Sequence, residues 1–287
     1  MDDMTGDSHV LVGYDGTEES ARAVRWAVTE ARMRRLPLTV CHAWRWPYPS
    51  DYLDVEGVAI VKRMAGHLLD NGVALAREAA PGLEVRKALM EGGAFAALLQ
   101  REGGAEPIVV GSHEPDQVPV GSTVLQLPAH AHRPVVVVRP ASARRDLIVV
   151  GVDGSAGANA ALAFAFEEAA LRGWPLRAVY GCWEPGAAPD GDLSLFDDED
   201  KLRHVCGAVL EKAVAPWLVK YPTVEARTSL VMRSPREALF EAADEAALVV
   251  VGTRGTGLVQ PLTLGATSGA LLQHAPCTVA LVPRDMA

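Results

Sequence analysis

Apolar residues in this chain come in two rhythms. Short runs rich in Val, Ile and Leu alternate with longer stretches whose apolar positions recur every three or four residues. The short runs predict strands at 9–14, 38–43, 84–90, 107–111 and 135–139, and again at 146–152, 176–182, 224–232, 247–252 and 278–282. Several are apolar on both faces, the pattern of buried parallel strands. Helices are predicted between them. Thr17 and Ser155 are placed as N-caps, and Glu18 and Glu19 fall in the first turn behind Thr17. Ala21, Val24, Ala27, Val28 and Ala31 then follow at helical spacing. Strand–helix–strand alternation predicts an α/β fold with doubly wound, Rossmann-like parallel sheets and right-handed crossovers. Such sheets bind ligands beyond the carboxyl ends of their strands, at the switch point.

The pattern occurs twice. Leu11-Val-Gly-Tyr-Asp-Gly-Thr17 is answered by Val149-Val-Gly-Val-Asp-Gly-Ser155, with Asp15 and Asp153 lying 138 residues apart. The same offset pairs Pro37-Leu38 with Pro175-Leu176. Val109-Val110-Gly111 is answered by Val250-Val251-Gly252, and His130-Ala131 by His274-Ala275. The period is too long for a solenoid and fits one ordinary domain. Two tandem domains are therefore expected, at 1–140 and 145–287, joined by Pro140-Ala-Ser-Ala-Arg-Arg145. The apolar last strands of both halves would be exposed edges if left uncovered, which predicts that the halves pack as a pseudo-two-fold pair.

Composition narrows the function classes. The 287 residues are 49% hydrophobic, enough for two cores, and the formal net charge of -9 argues against nucleic acid as the main partner. No apolar run approaches the length of a membrane span, and the acidic N-terminus does not resemble a secretory signal. Cys41, Cys182, Cys206 and Cys277 have no C-x-x-C spacing, and three of them lie in or beside strand-like runs. Buried free thiols in a reduced cytosol are expected. Two loops interrupt the repeat. Residues 44–52 are aromatic and carry proline, and residues 183–200 are acidic and rich in Gly, Pro and Asp. A surface loop is the plainer reading of each; a lid or partner surface is the alternative.

The candidate chemistry is a set of glycines. Gly252-Thr-Arg-Gly255 follows a strand, and nine residues later Gly265-Ala266-Thr267 opens a helix. Glycines let a backbone approach phosphate closely, and N–H groups of the turn and helix start point at the anion. Arg254 and the hydroxyls of Thr267 and Ser268 are candidate additions, and Asp153 with Gly154 and Ser155 ends the first strand within reach of a ribose. Neither a Walker loop nor a G-x-G-x-x-G fingerprint is present. His130-Ala-His132 lies near a helix end without an evident acidic or cysteine partner set, so a capping or exposed role outweighs a metal site. No Ser-His-Asp set or catalytic carboxylate pair stands out.

Taken together, Val-Gly-Val-Asp-Gly-Ser, Val-Val-Gly-Thr-Arg-Gly, Gly265 and His274-Ala-Pro-Cys277 resemble the universal stress protein family, over both halves and most like its tandem actinobacterial members. The resemblance implies five-stranded sheets in order 3-2-1-4-5, and in many members ATP held by a G-x2-G-x9-G-(S/T) pattern, with magnesium a possible companion. It implies that Asp153 meets the ribose and that the end of the second strand, at Gly181, meets the adenine. Ala266 departs from the pattern's final Ser or Thr. The first half departs further: Gly111-Ser-His-Glu114 is followed by only six residues before Gly121-Ser122, with Pro115 and Pro119 between. A carboxylate repels a triphosphate and proline removes N–H donors, so the first site (Asp15, Gly111, Gly121, Ser122) is expected to be weakened. The expectation is a cytosolic, ATP-binding stress-response protein acting mainly through its second half. A homodimer and a regulatory protein partner stay open, as do two rivals: a slow nucleotide hydrolase and a nucleotide-free interaction scaffold.

Overall fold

The apolar runs become parallel strands because their side chains can be buried on both faces. In the computed structural model the described residues are 8–49, 54–112, 123–140, 146–184, 192–255 and 264–284. They form two compact units that part after Arg139.

The first unit runs β1 (His9–Gly13), α1 (Glu18–Arg34), β2 (Leu38–Trp44), α2 (Val55–Ala79), β3 (Val85–Glu91), α3 (Ala94–Gln100), β4 (Ala105–Gly111), α4 (Thr123–His130) and β5 (Val135–Val138). Its strands pair in parallel in the order β3-β2-β1-β4-β5. The second unit repeats this with β6 (Ile148–Gly151), α5 (Ala156–Arg172), β7 (Leu176–Gly181), α6 (Glu199–Lys220), β8 (Ala226–Val231), α7 (Pro235–Ala243), β9 (Leu248–Gly252), α8 (Ala266–His274) and β10 (Thr278–Val282). Its order is β8-β7-β6-β9-β10, again parallel. The predicted strands are therefore present, with ends moved by a residue or two. In each unit the order reverses beside the first strand, between β1 and β4 and between β6 and β9.

Local chemistry starts the helices. The Thr17 hydroxyl accepts from the Ser20 N–H at 3.2 Å, and the Ser155 hydroxyl accepts from the Ala158 N–H at 3.1 Å. Gly16 and Gly154 take φ of 87° and 77°, a left-handed turn that a side chain would strain. The loops after β2 and β7 are partly anchored. Trp46 meets Tyr48 edge-on and fills the space above Gly57, while Trp183 meets Phe196 edge-on. A short 3-10 turn, Leu193–Asp197, leads into α6. Among the described residues no helix is long and apolar enough to cross a membrane.

The duplication reaches into the core. Arg34 Nε donates to Glu30 at 2.5 Å, and Arg172 Nε to Glu168 at 2.9 Å, one helical turn apart at matching places on α1 and α5. Both glutamate side chains are fully buried and both arginines nearly so. Removing one partner of a buried pair strands the other charge, a loss of about 3–5 kcal/mol. Glu168→Ala should therefore lower stability in urea unfolding by about 3–5 kcal/mol, and Glu30→Ala by a similar amount. Losses below about 1 kcal/mol would match an exposed pair instead.

Candidate functional site

A cavity of about 200 Å³ lies over the carboxyl ends of β7, β6 and β9 in the second unit. It spans the point where the strand order reverses, as expected for a doubly wound sheet. One end is apolar, walled by Val179, Gly181, Pro235 and Leu239. The other is built from backbone: Gly252 to Gly255 except the buried Thr253, then the first turn of α8 from Gly265 to Ser268. Asp153 and Ser155 stand between them, and Glu184 is at the rim. Arg254 is the one cation among the lining residues.

Each glycine has its own reason. A Cβ on Gly252 would lie 2.8 Å from the backbone of Gly157, in the first turn of α5. Gly111 makes the matching approach to Glu19 in the first unit, so this first glycine of the pattern is needed for packing in both units. A Cβ on Gly181 would lie 2.7 Å from Pro235, so that glycine admits the start of α7. A Cβ on Gly255 would overlap the Asp153 carboxylate. Gly265 is different. Its φ of -59° suits any residue, and the nearest atom to its Cβ would be 3.6 Å away, an ordinary contact.

The polar groups divide the same way. Asp153 Oδ1 accepts the Ser155 N–H at 2.9 Å, which fixes the turn, while its other oxygen faces Gly255. Ser155 spends its hydroxyl on capping α5. The Ser268 hydroxyl, a candidate ligand group by sequence, instead donates to the Gly252 carbonyl at 2.7 Å and is buried there. Thr267 and Ala266 remain at the cavity, and α8 has no side-chain cap. Among the described residues no side chain takes up its first N–H groups. At the apolar end, the Val152 N–H donates to the Val179 carbonyl and the Cys182 N–H to the Val231 carbonyl. Strand alternation then turns the N–H and C=O of Gly181 toward β6, past the last β6–β7 register pair, Gly151 with Val179. That is a donor and an acceptor side by side at the cavity wall.

The first unit presents a different surface at the equivalent place. Asp15 Oδ1 accepts both the Thr17 hydroxyl at 2.6 Å and the Thr17 N–H at 3.1 Å. Partial burial pushes the Asp15 carboxyl up, but hydrogen bonds from Thr17 and Ser20 outweigh it and hold it below its ordinary value. The first turn of α1 carries Glu18 and Glu19, whereas the first turn of α5 has no acidic residue. Gly111 is placed as above; Glu114, Pro115, Pro119, Gly121 and Ser122 lie outside the described residues.

Sequence reasoning missed Glu184, Pro235, Leu239 and Gly157. The capping box of α7, in which Ser234 and Glu237 bond reciprocally, was a legible signal for the helix start that brings Pro235 and Leu239 to the cavity. The histidine pair takes the capping and exposed roles expected of it: His130 Nδ1 lies 2.9 Å from the Gln126 carbonyl at the end of α4, and the exposed His132 meets Glu102 at 2.8 Å. All four cysteines are buried and free, including Cys206 on α6. Burial pushes Cys41 up to about 11, and burial with the neighbouring Cys206 thiol pushes Cys182 up to about 12, which leaves both thiols unreactive.

Comparisons with known proteins agree with this architecture. The pattern of the Universal stress protein family matches residues 8–139 and 145–283. Universal stress protein Rv2005c of Mycobacterium tuberculosis is 32% identical over 295 residues, covering 96% of this chain and 97% of the relative. Universal stress protein Rv2623 of the same organism is 30% identical over 293 residues, covering 96% of each. The crystal structure of a universal stress protein from Archaeoglobus fulgidus DSM 4304 aligns with a TM-score of 0.71 at 18% identity, covering 96% of this chain and 98% of that one, a likeness of fold. With both units matched and near-full-length relatives at this identity, the chain belongs to the universal stress protein family.

Proposed function

We propose that the second unit binds ATP as a regulatory ligand and that the first unit binds it weakly or not at all. Gly265 carries this reading. Among the described residues nothing requires glycine there, and Ser, Thr or Asp would cap α8 better. A bare N-cap at a cavity is explained by a ligand that needs both the space and the open N–H groups. Phosphates fit that end, with Arg254 and Thr267 beside them. Asp153 lies between the two ends, where a carboxylate accepts from a ribose hydroxyl. The Gly181 backbone pair matches the N1 and N6 edge of adenine, an acceptor beside a donor. Among the described residues no group of three His, Cys, Asp or Glu side chains could hold a metal ion, so magnesium would arrive with the nucleotide and screen its charge. Among the described lining residues Asp153 is the carboxylate set between the two ends, and its turn-fixing bond and assigned ribose contact leave hydrolysis slow at most. The buried free thiols fit a reduced cytosol.

A ligand stabilises the state it binds, by about 2.7 kcal/mol at a hundred times Kd. ATP should raise the melting temperature of the full chain. Gly255→Glu should remove most of that rise, because the new side chain must displace the Asp153 carboxylate and brings a second negative charge. If Gly255→Glu kept the ATP shift and Asp15→Ala abolished it, the first unit would be the functional one. Nucleotide released from purified protein, identified by mass spectrometry, checks the ligand directly.

Asp153 is best tested as asparagine, which keeps an acceptor for the Ser155 N–H and removes the charge. Asp153→Asn should weaken ATP by about tenfold or more, at about 1.4 kcal/mol per factor of ten. It should weaken 2′,3′-dideoxy-ATP far less, since that nucleotide lacks the hydroxyls. Equal losses in calorimetric titrations would remove the ribose assignment. Loss of a fast hydrolysis rate at unchanged affinity would favour an enzyme.

A further inference from the structure

The backbone after β9 lies directly on the first turn of α5. Besides the approach of Gly252 to Gly157, a Cβ on Gly157 would overlap the carbonyl oxygen of Arg254. Gly157 is buried, so that side chain could not turn outward into solvent. The resulting low path of residues 252–255 has two consequences at the cavity. It brings Gly255 against the Asp153 carboxylate, and it lets the Thr253 carbonyl accept the Gly265 N–H at 3.0 Å. One missing side chain on α5 thus sets how close residues 252–255 come to the aspartate.

The first unit supplies the contrast. Gly111 approaches Glu19 as Gly252 approaches Gly157, so the packing of strand end on helix is common to both. At the position matching Gly157 stands Glu19, so the first unit carries a side chain where the second has none; its counterparts of Arg254 and Gly255 lie outside the described residues.

We propose that Gly157, outside the G-x2-G-x9-G pattern, is a positioning residue for the nucleotide: it seats the Arg254 carbonyl on α5 and thereby holds the phosphate-binding backbone at the spacing that also lets Asp153 reach the ribose. This rests on the ATP reading above. A merely structural glycine would affect stability, or every ligand alike. A positioning glycine separates ligands that use the loop from those that do not. Adenosine uses the β7 end and Asp153; ATP uses the loop as well.

The test measures ATP and adenosine affinities by calorimetry on the full chain, for the wild type, Gly157→Ala and Gly252→Ala, with ligand-free melting for each. Gly157→Ala should lose at least tenfold in ATP affinity and less than about threefold for adenosine, while melting cooperatively, since alanine suits a helix better than glycine. Gly252→Ala disturbs the packing common to both units and should lower ligand-free melting, which Gly157→Ala should not match. Unchanged ATP affinity in Gly157→Ala overturns the proposal, as do equal losses for both ligands. A Gly157→Ala protein without a cooperative melt makes Gly157 a fold residue and overturns it too. A wild type that binds neither ligand sinks the ATP reading itself, an outcome seen before any variant is compared.

Discussion

The cavity depends on one contact, strand-end backbone laid on the first turn of the following-in-space helix. In the second unit Gly252 meets Gly157, and in the first Gly111 meets the backbone at Glu19. These are main-chain atoms at close range, so no rotamer change can absorb an error, unlike a contact between side-chain tips. The contact fixes where the chain leaves β9, and from there where Gly255 faces Asp153 and where Gly265 opens α8. Everything polar at the site is placed by backbone geometry, with Asp153 and Arg254 as the main side-chain additions.

Much of this was legible because its causes are local. Apolar runs on both faces located the central strands, since a buried parallel strand tolerates little else, while the edge strands β3 and β8 keep charged and polar positions. Thr17 and Ser155 announced the starts of α1 and α5 because a hydroxyl at that place satisfies an otherwise open N–H. Asp153, Gly181, Gly255 and Gly265, which the repeat and the family resemblance single out, all line the cavity. What was not legible depends on segments that meet only after folding. Glu184, Pro235 and Leu239 come from two connections far from the glycines. Ser268 looked like a ligand group because sequence cannot show that its hydroxyl already points at the Gly252 carbonyl. Glu30–Arg34 and Glu168–Arg172 have ordinary surface-pair spacing, and only the fold reveals that they are buried. Gly157 looked like one more small residue; its mismatch with Glu19 in the repeat was the available signal.

The two units also differ in the charge they carry at the start of their first helix. Glu18 and Glu19 at the start of α1 interact favourably with the helix dipole, worth about 0.3–1 kcal/mol each at an exposed terminus. The same two charges oppose any phosphate brought to that terminus, and a like-charge contact at 4 Å amounts to about 4 kcal/mol at an effective dielectric of 20. Alpha5 forgoes the acidic first turn and relies on the Ser155 hydroxyl alone, which caps the helix without adding charge. Asp15 and Asp153 diverge in the same sense: the first is held by both the hydroxyl and the N–H of Thr17, the second takes the Ser155 N–H and turns its other oxygen toward the glycine loop. The first unit thus sets two carboxylates at its helix start, where the second sets none.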